Sequence, residues 1–207
     1  MTRSDLELDA VIFDLGRVLI DFDWSRTMSA WGLGGIPLSE LQKRFLSETD
    51  FFDFETGAIA PDAFHAQVQT FVGRPLSFDE FRAAWNGVFK DELHATVELA
   101  RRLHRGGSVK VGVLSNTNVL HAEYLRARMP ILRELPHVYC SQELGARKPD
   151  AEAYVRTLAG MNVAANRAVF VDDLEENLVA ARALGMRTVL ARSPESVADG
   201  LRALGLE

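Results

Sequence analysis

Four short apolar runs, rich in β-branched residues, each end abruptly in polar residues. They are Ala10–Phe13 before Asp14, Val109–Leu114 before Ser115, Val138–Cys140 before Ser141 and Ala168–Val171 before Asp172. A fifth, Thr188–Leu190, lies near the C-terminus. Unbroken runs of this kind suit strands covered on both faces, as in a parallel sheet. Helical periodicity fills the intervals. Asp91 to Arg105 carries an apolar face and stops at Gly106-Gly107, where glycine can take the left-handed conformation. Pro149 stands where a first helical turn begins, and Gly160 follows that helix's last periodic residue. Glu175 to Leu184 ends at Gly185. The alternation of strand and helix from residue 96 onward predicts an α/β fold with a doubly wound, Rossmann-like parallel sheet.

Residues 21–95 break the rhythm. They show helical stretches and no strand, with capping-box patterns at Ser39 with Gln42 and Ser77 with Glu80. Turns are expected at Gly32–Gly35 and at Gly73-Arg74-Pro75. The expected organisation is an α/β core of residues 1–20 and 96–207, with 21–95 inserted as an α-helical cap over the sheet's carboxyl edge.

Composition narrows the function classes. The chain has 207 residues, 47% apolar and 25% charged, which suits a packed core and argues against disorder. A net charge of -6 argues against nucleic acid as a partner, because counterion release needs a basic face. Cys140 is the single cysteine, so neither a disulfide framework nor a cysteine zinc site is expected. The first nine residues lack a signal-peptide pattern, and no apolar run is long enough to cross a bilayer. The expectation is a cytoplasmic protein with no membrane partner.

In an open α/β sheet, ligands bind beyond the carboxyl ends of the strands. Standing there are Asp14, Ser115-Asn116, Asp172-Asp173 and, a few residues past the third strand, Lys148. Alone, each reads as an ordinary cap or turn residue. Together, in this order, they suit phosphoryl transfer. A carboxylate attacking a phosphate monoester is repelled by its charge, so a divalent cation must lie between them. Magnesium wants oxygen ligands, and Asp14, a backbone carbonyl near Gly16 and one of Asp172 or Asp173 can supply them. Asp173 is the preferred direct ligand, with Asp172 acting through water. Lys148 would offset the remaining charge, Ser115 and Asn116 would hold phosphoryl oxygens, and Asp14 would become an aspartyl-phosphate that water hydrolyses.

These residues resemble the motifs of the haloacid dehalogenase (HAD)-like hydrolase superfamily. Val11-Ile12-Phe13-Asp14-Leu15-Gly16 is similar to its first motif and Val113-Leu114-Ser115-Asn116-Thr117 to its second. Lys148-Pro149 is similar to the third and Phe170-Val171-Asp172-Asp173 to the fourth. Ser141-Gln142-Glu143-Leu144-Gly145 and Arg147-Lys148-Pro149 narrow the resemblance to the branch holding bacterial α-D-glucose-1-phosphate phosphatase and the phosphatase domain of soluble epoxide hydrolase. The resemblance implies a magnesium-dependent phosphatase acting on a small phosphorylated substrate, such as a sugar 1-phosphate, with residues 21–95 as its cap.

Two positions depart from the pattern. Most phosphatases of this superfamily carry an acid–base aspartate where this chain has Gly16, a loss typically worth about 10²–10⁴-fold. Asp21, Asp23 or a cap residue are candidate substitutes. Arg17 stands where relatives tend to carry glycine or asparagine, and can meet a substrate anion or point to solvent. Trp24 is either a stacking surface for a sugar ring or hinge packing. Gly16 keeps a second reading open, a phospholigand-binding or regulatory protein with little turnover. A third, 2-haloacid dehalogenation by Asp14, is disfavoured by the paired Asp172-Asp173.

Overall fold

The computed structural model describes residues 7–206; the signal-peptide reading of the first nine residues falls largely outside them. Seven strands follow in chain order: β1 Ala10–Phe13, β2 Ile20–Phe22, β3 Phe89–Glu92, β4 Lys110–Ser115, β5 His137–Cys140, β6 Ala168–Asp172 and β7 Arg187–Leu190. Five form a parallel sheet in the order β5-β4-β1-β6-β7, with β1 at its centre. The strand order reverses beside β1, which makes its carboxyl end the natural crevice of the sheet.

Helices cover both faces, as the unbroken apolar strands require. Val11 and Phe13 of β1 join one core with Val97, Leu103, Leu125 and Leu201, from helices His94–Gly106, Val119–Arg128 and Pro194–Ala203. Ala10 and Ile12 point the other way, into a core with Tyr154, Leu158, Leu178 and Phe170, under helices Ala151–Met161 and Glu175–Ala183. The period of two continues past each strand, so Asp14 and Asp172 emerge toward this second face.

Residues 24–86 form five helices with their own aromatic core. Trp85, fully buried, stacks on Trp31 at 5.8 Å and meets Phe64 at 5.3 Å and Phe45 at 5.9 Å. The Ser77–Glu80 capping box forms, but Ser39 does not cap. Helix Leu38–Glu48 starts before it, so that Pro37, two residues earlier, holds the cap position and no side chain caps the helix. Residues 21–95 are also not wholly helical. β2 and β3 pair antiparallel, and the next helix starts at His94 because Asp91 and Glu92 belong to β3. With three or four residues each and Lys90 and Asp91 exposed, these strands have no periodicity long enough to read. Gly160 lies inside its helix, which ends at Asn162 in the left-handed region (φ 51°). A side chain at Gly160 would collide with Tyr139.

Candidate active site

β1 delivers Asp14 to the centre of the sheet, where its backbone N–H donates to Val171 O at 2.7 Å. The chain then turns at once. Leu15 O accepts from Leu19 N at 2.9 Å and Ile20 N at 3.0 Å, and Arg17 sits at φ 56°, the left-handed residue this tight loop requires. Gly16 faces the ring of Phe22, and a Cβ there would lie 2.9 Å from Phe22 Cε1. Only glycine fits that approach without displacing the ring.

Lys148 is the hub. Its Nζ donates to Asp14 Oδ1 at 2.5 Å and to Asp172 Oδ2 at 2.8 Å, with the ammonium 5.2 Å from the Phe170 ring centre. The side chain is 2% exposed. Burial works to lower its pKa, but the Asp14 and Asp172 carboxylates outweigh that and hold it above the usual lysine range. The lysine is therefore charged. Its backbone is positioned by Asn116, whose Nδ2 donates to Lys148 O and whose Oδ1 accepts from Lys148 N, both at 2.8 Å.

The two neighbouring aspartates divide. Asp172 is fully buried, accepting from Leu174 N at 2.8 Å and from Asn177 Nδ2 at 3.1 Å on both oxygens. Asp173 is turned into the cleft together with Asp14, Gly16, Ser115 and Lys148. Burial pushes Asp14 up to about 7, with Lys148 opposing and Asp172 and Asp173 reinforcing the rise. Burial, then the Asp172 charge, also raises Asp173.

Carboxylate oxygens of Asp14, Asp172 and Asp173 lie within 4.8 Å of one another. When ionised, three carboxylates face one ammonium, an excess of two negative charges in a poorly solvated place. Hard oxygen donors with that excess fit a small divalent cation such as magnesium. The donor set and the charge agree.

Ser115 lines the cleft, and its hydroxyl makes only a 3.5 Å contact with Asn116 O, so it is available to a ligand. Asn116 also lines the cleft, but its side-chain amide is taken up by Lys148 at both ends. Asp21 is paired with Lys90 at 2.5 Å, and Asp23 caps helix Trp24–Ala30 through Ser25 N at 2.9 Å. Those bonds hold both carboxyls below the usual range, and neither lines the cleft. Arg17 leans on the Phe22 ring at 4.7 Å and donates to Phe22 O at 3.3 Å. Trp24 packs 5.2 Å from Trp85 and also lines the cleft.

Sequence reasoning did not find Glu55 or Arg147. Glu55 comes from helix Phe51–Glu55 and is the one carboxyl from residues 21–95 that lines the cleft, among the described residues. Arg147 Nε donates to Glu55 Oε2 at 3.1 Å and stacks on Phe52 at 4.1 Å. Burial raises Glu55 against the opposing pull of Arg147. Nothing in the local pattern marks a pair 92 residues apart. The whole cleft encloses about 590 Å³, a size suited to a small molecule.

Comparison with known proteins agrees with this geometry. A family model described as haloacid dehalogenase-like hydrolase matches residues 8–185. A D-ribitol-5-phosphate phosphatase of Bacteroides thetaiotaomicron is 27% identical, across 91% of this chain and 93% of its own. A sesquiterpene phosphatase of Aspergillus oryzae is 32% identical, across 86% of both. A solved structure of a HAD-family enzyme from Bacteroides thetaiotaomicron, complexed with magnesium and inorganic phosphate, superposes with a TM-score of 0.78 at 25% identity. That likeness covers 88% of this chain and 93% of the other.

Proposed function

The chain belongs to the haloacid dehalogenase-like hydrolases and is a phosphoric monoester hydrolase, and we propose that it is a magnesium-dependent phosphatase whose nucleophile is Asp14. The observation that carries this reading is Lys148 Nζ bridging Asp14 and Asp172, with Asp173 completing a carboxylate cluster open to the cleft. Asp14, the Gly16 carbonyl and Asp173 would hold the ion, with Asp172 behind them. When bound, magnesium would neutralise the meeting of carboxylate and phosphate.

The protein's own residues then account for the steps. Ser115, the backbone N–H of Asn116 and the Lys148 ammonium orient the phosphoryl oxygens. A carboxylate oxygen of Asp14 attacks phosphorus as the ester P–O bond breaks, and its electron pair leaves on the alcohol oxygen, which takes a proton from water. A second water attacks the aspartyl-phosphate, the Asp14–phosphorus bond breaks, and inorganic phosphate and the free carboxylate are released. Lys148 opposes the rise that burial imposes on Asp14 and so favours the ionised form that attacks. No residue at position 16 supplies the leaving proton, so poor leaving groups should turn over slowly.

The domain reading enters here too: residues 21–95 act as a cap that selects the substrate, over a core of 1–20 and 96–207. The enzyme is taken to be cytoplasmic with a small-molecule substrate and no nucleic-acid partner, in keeping with its net charge of -6. No helix of the described residues is long and apolar enough to cross a membrane. Relatives named for ribitol 5-phosphate and for a sesquiterpene span polar and apolar organic groups. The organic half must therefore be read from this chain's own cleft.

The test is phosphate release from p-nitrophenyl phosphate and acetyl phosphate, with magnesium and with EDTA. Metal-dependent release, lost in Asp14→Asn, is expected. Tight phosphate binding with no release from either compound would favour the phospholigand-binding reading that Gly16 keeps open.

A further inference from the structure

We infer that the substrate's organic group is an extended apolar chain, held in an aromatic trough between residues 22–89 and the sheet's carboxyl edge. This rests on the phosphatase reading of Asp14 and narrows its substrate class.

Beyond the carboxylate cluster, the cleft wall is formed by Phe22, Trp24, Phe45, Phe51, Phe52 and Phe89. The exposed apolar surface has the same address. Leu46, Phe52 and Leu174 are 45–49% exposed, and all three line this cleft. They make up three of the five large apolar side chains left exposed among the described residues. Two come from the inserted helices and Leu174 from the loop directly after Asp173, so the apolar rim begins at the reaction centre. Exposed apolar patches set beside a site mark what it binds.

Most polar side chains of the aromatic wall already have partners, whereas on the strand-end side of the cleft the Thr117 hydroxyl has none and that of Ser115 only a 3.5 Å contact. His121 Nε2 lies 3.0 Å from Trp85 O and Nδ1 3.2 Å from Asn118 Nδ2, so both ring nitrogens are engaged. Arg147 is bound to Glu55 and Phe52, and Arg17 to Phe22. Gln42 remains as an exposed amide at the rim. A sugar carries several hydroxyls, and each one buried here without a hydrogen bond would weaken binding. An alkyl or polyisoprenoid chain asks for no such partner and gains from every methylene removed from water. Against the aromatic wall an apolar chain is therefore favoured over the sugar suggested by sequence resemblance.

The experiment uses the full-length protein and straight-chain alkyl monophosphates from butyl to decyl, beside glucose 1-phosphate. Turnover is read as kcat/KM with magnesium. Affinity is read separately by calorimetry on Asp14→Asn, so that binding is measured whether or not turnover occurs. Affinity and kcat/KM should each climb about fourfold per added methylene until the trough is filled. Leu46→Gln and Leu174→Gln, both at exposed positions, should cut the decyl-to-butyl ratio about tenfold. Turnover or affinity that is flat with chain length, or glucose 1-phosphate favoured over decyl phosphate, overturns the inference and leaves the phosphatase standing. Affinity that climbs with length while no phosphate is released supports the trough and removes the phosphatase.

Discussion

The side chain of Asn116 is hydrogen-bonded to the backbone of Lys148 as donor and acceptor at once, both at 2.8 Å. One amide thus fixes the segment that carries the central ammonium. Asn116→Ala should free that segment, lowering kcat at least tenfold and stability by about 1–3 kcal/mol, the range for buried hydrogen-bonding groups left unpaired. Asn116→Asp keeps the acceptor but loses the donor, and should fall between the two. Thermal unfolding and steady-state kinetics on p-nitrophenyl phosphate check both; wild-type kcat in Asn116→Ala would show that the amide positions nothing.

Phe22 explains why an acid cannot simply be restored at position 16. Gly16→Asp places a Cβ 2.9 Å from the Phe22 ring, so the single substitution should lower activity. Pairing it with Phe22→Ala opens the space. The double variant should recover activity preferentially on alkyl phosphates, whose leaving oxygen most needs a proton. The readout is the alkyl-to-nitrophenyl ratio of kcat/KM; no rise over the single variant would argue that the ring is not what stands in the way.

Asp14 should trade stability for function. Its pKa is raised from 3.8 to about 7, chiefly by burial, so the ionised form is disfavoured in the fold. The stability it contributes is full below pH 3.8 and is lost as pH rises through about 7. Asp14→Asn should therefore abolish turnover yet raise Tm at pH 8 in EDTA. Lys148→Met should do the reverse to stability, leaving buried carboxylates unpaired at about 3–5 kcal/mol. Differential scanning calorimetry of the two variants decides the signs.

His121 lies between Trp85, at 4.8 Å, and Phe89, also at 4.8 Å. Burial pushes its pKa down from 6.5 to about 4, with the bond to Trp85 O opposing. Its contribution to stability is present above pH 6.5 and lost as pH falls through about 4, on the order of 3 kcal/mol. Chemical-shift titration by NMR should find the ring neutral at pH 5. A midpoint near 6.5 would mean that water reaches the ring and that the trough is wetter than its lining suggests.

The residues at the strand ends were legible because strand periodicity is local and a parallel sheet sends every carboxyl end to one edge. Asp14, Ser115, Lys148 and Asp172-Asp173 could thus be placed near one another from order alone. Which way each side chain turns was not legible. Asp172 faces inward to Asn177 and Lys148 while Asp173 faces the cleft, and Asn116 turns to Lys148, because partners 5 to 32 residues away decide them. The trough is further still from the local pattern. Phe22, Phe45, Phe52 and Phe89 each read as ordinary apolar positions, and only the packing of residues 22–89 against the sheet sets them around one cleft. The strands Ile20–Phe22 and Phe89–Glu92 were invisible for the same reason: pairing of Ile20 with Glu92 and Phe22 with Phe89, between short, half-polar segments far apart in the chain, leaves no period in either one. Local sequence determined the strands and the order of their chemistry, while the orientation of the aspartates and the apolar wall arise from contacts that exist only once the chain has folded.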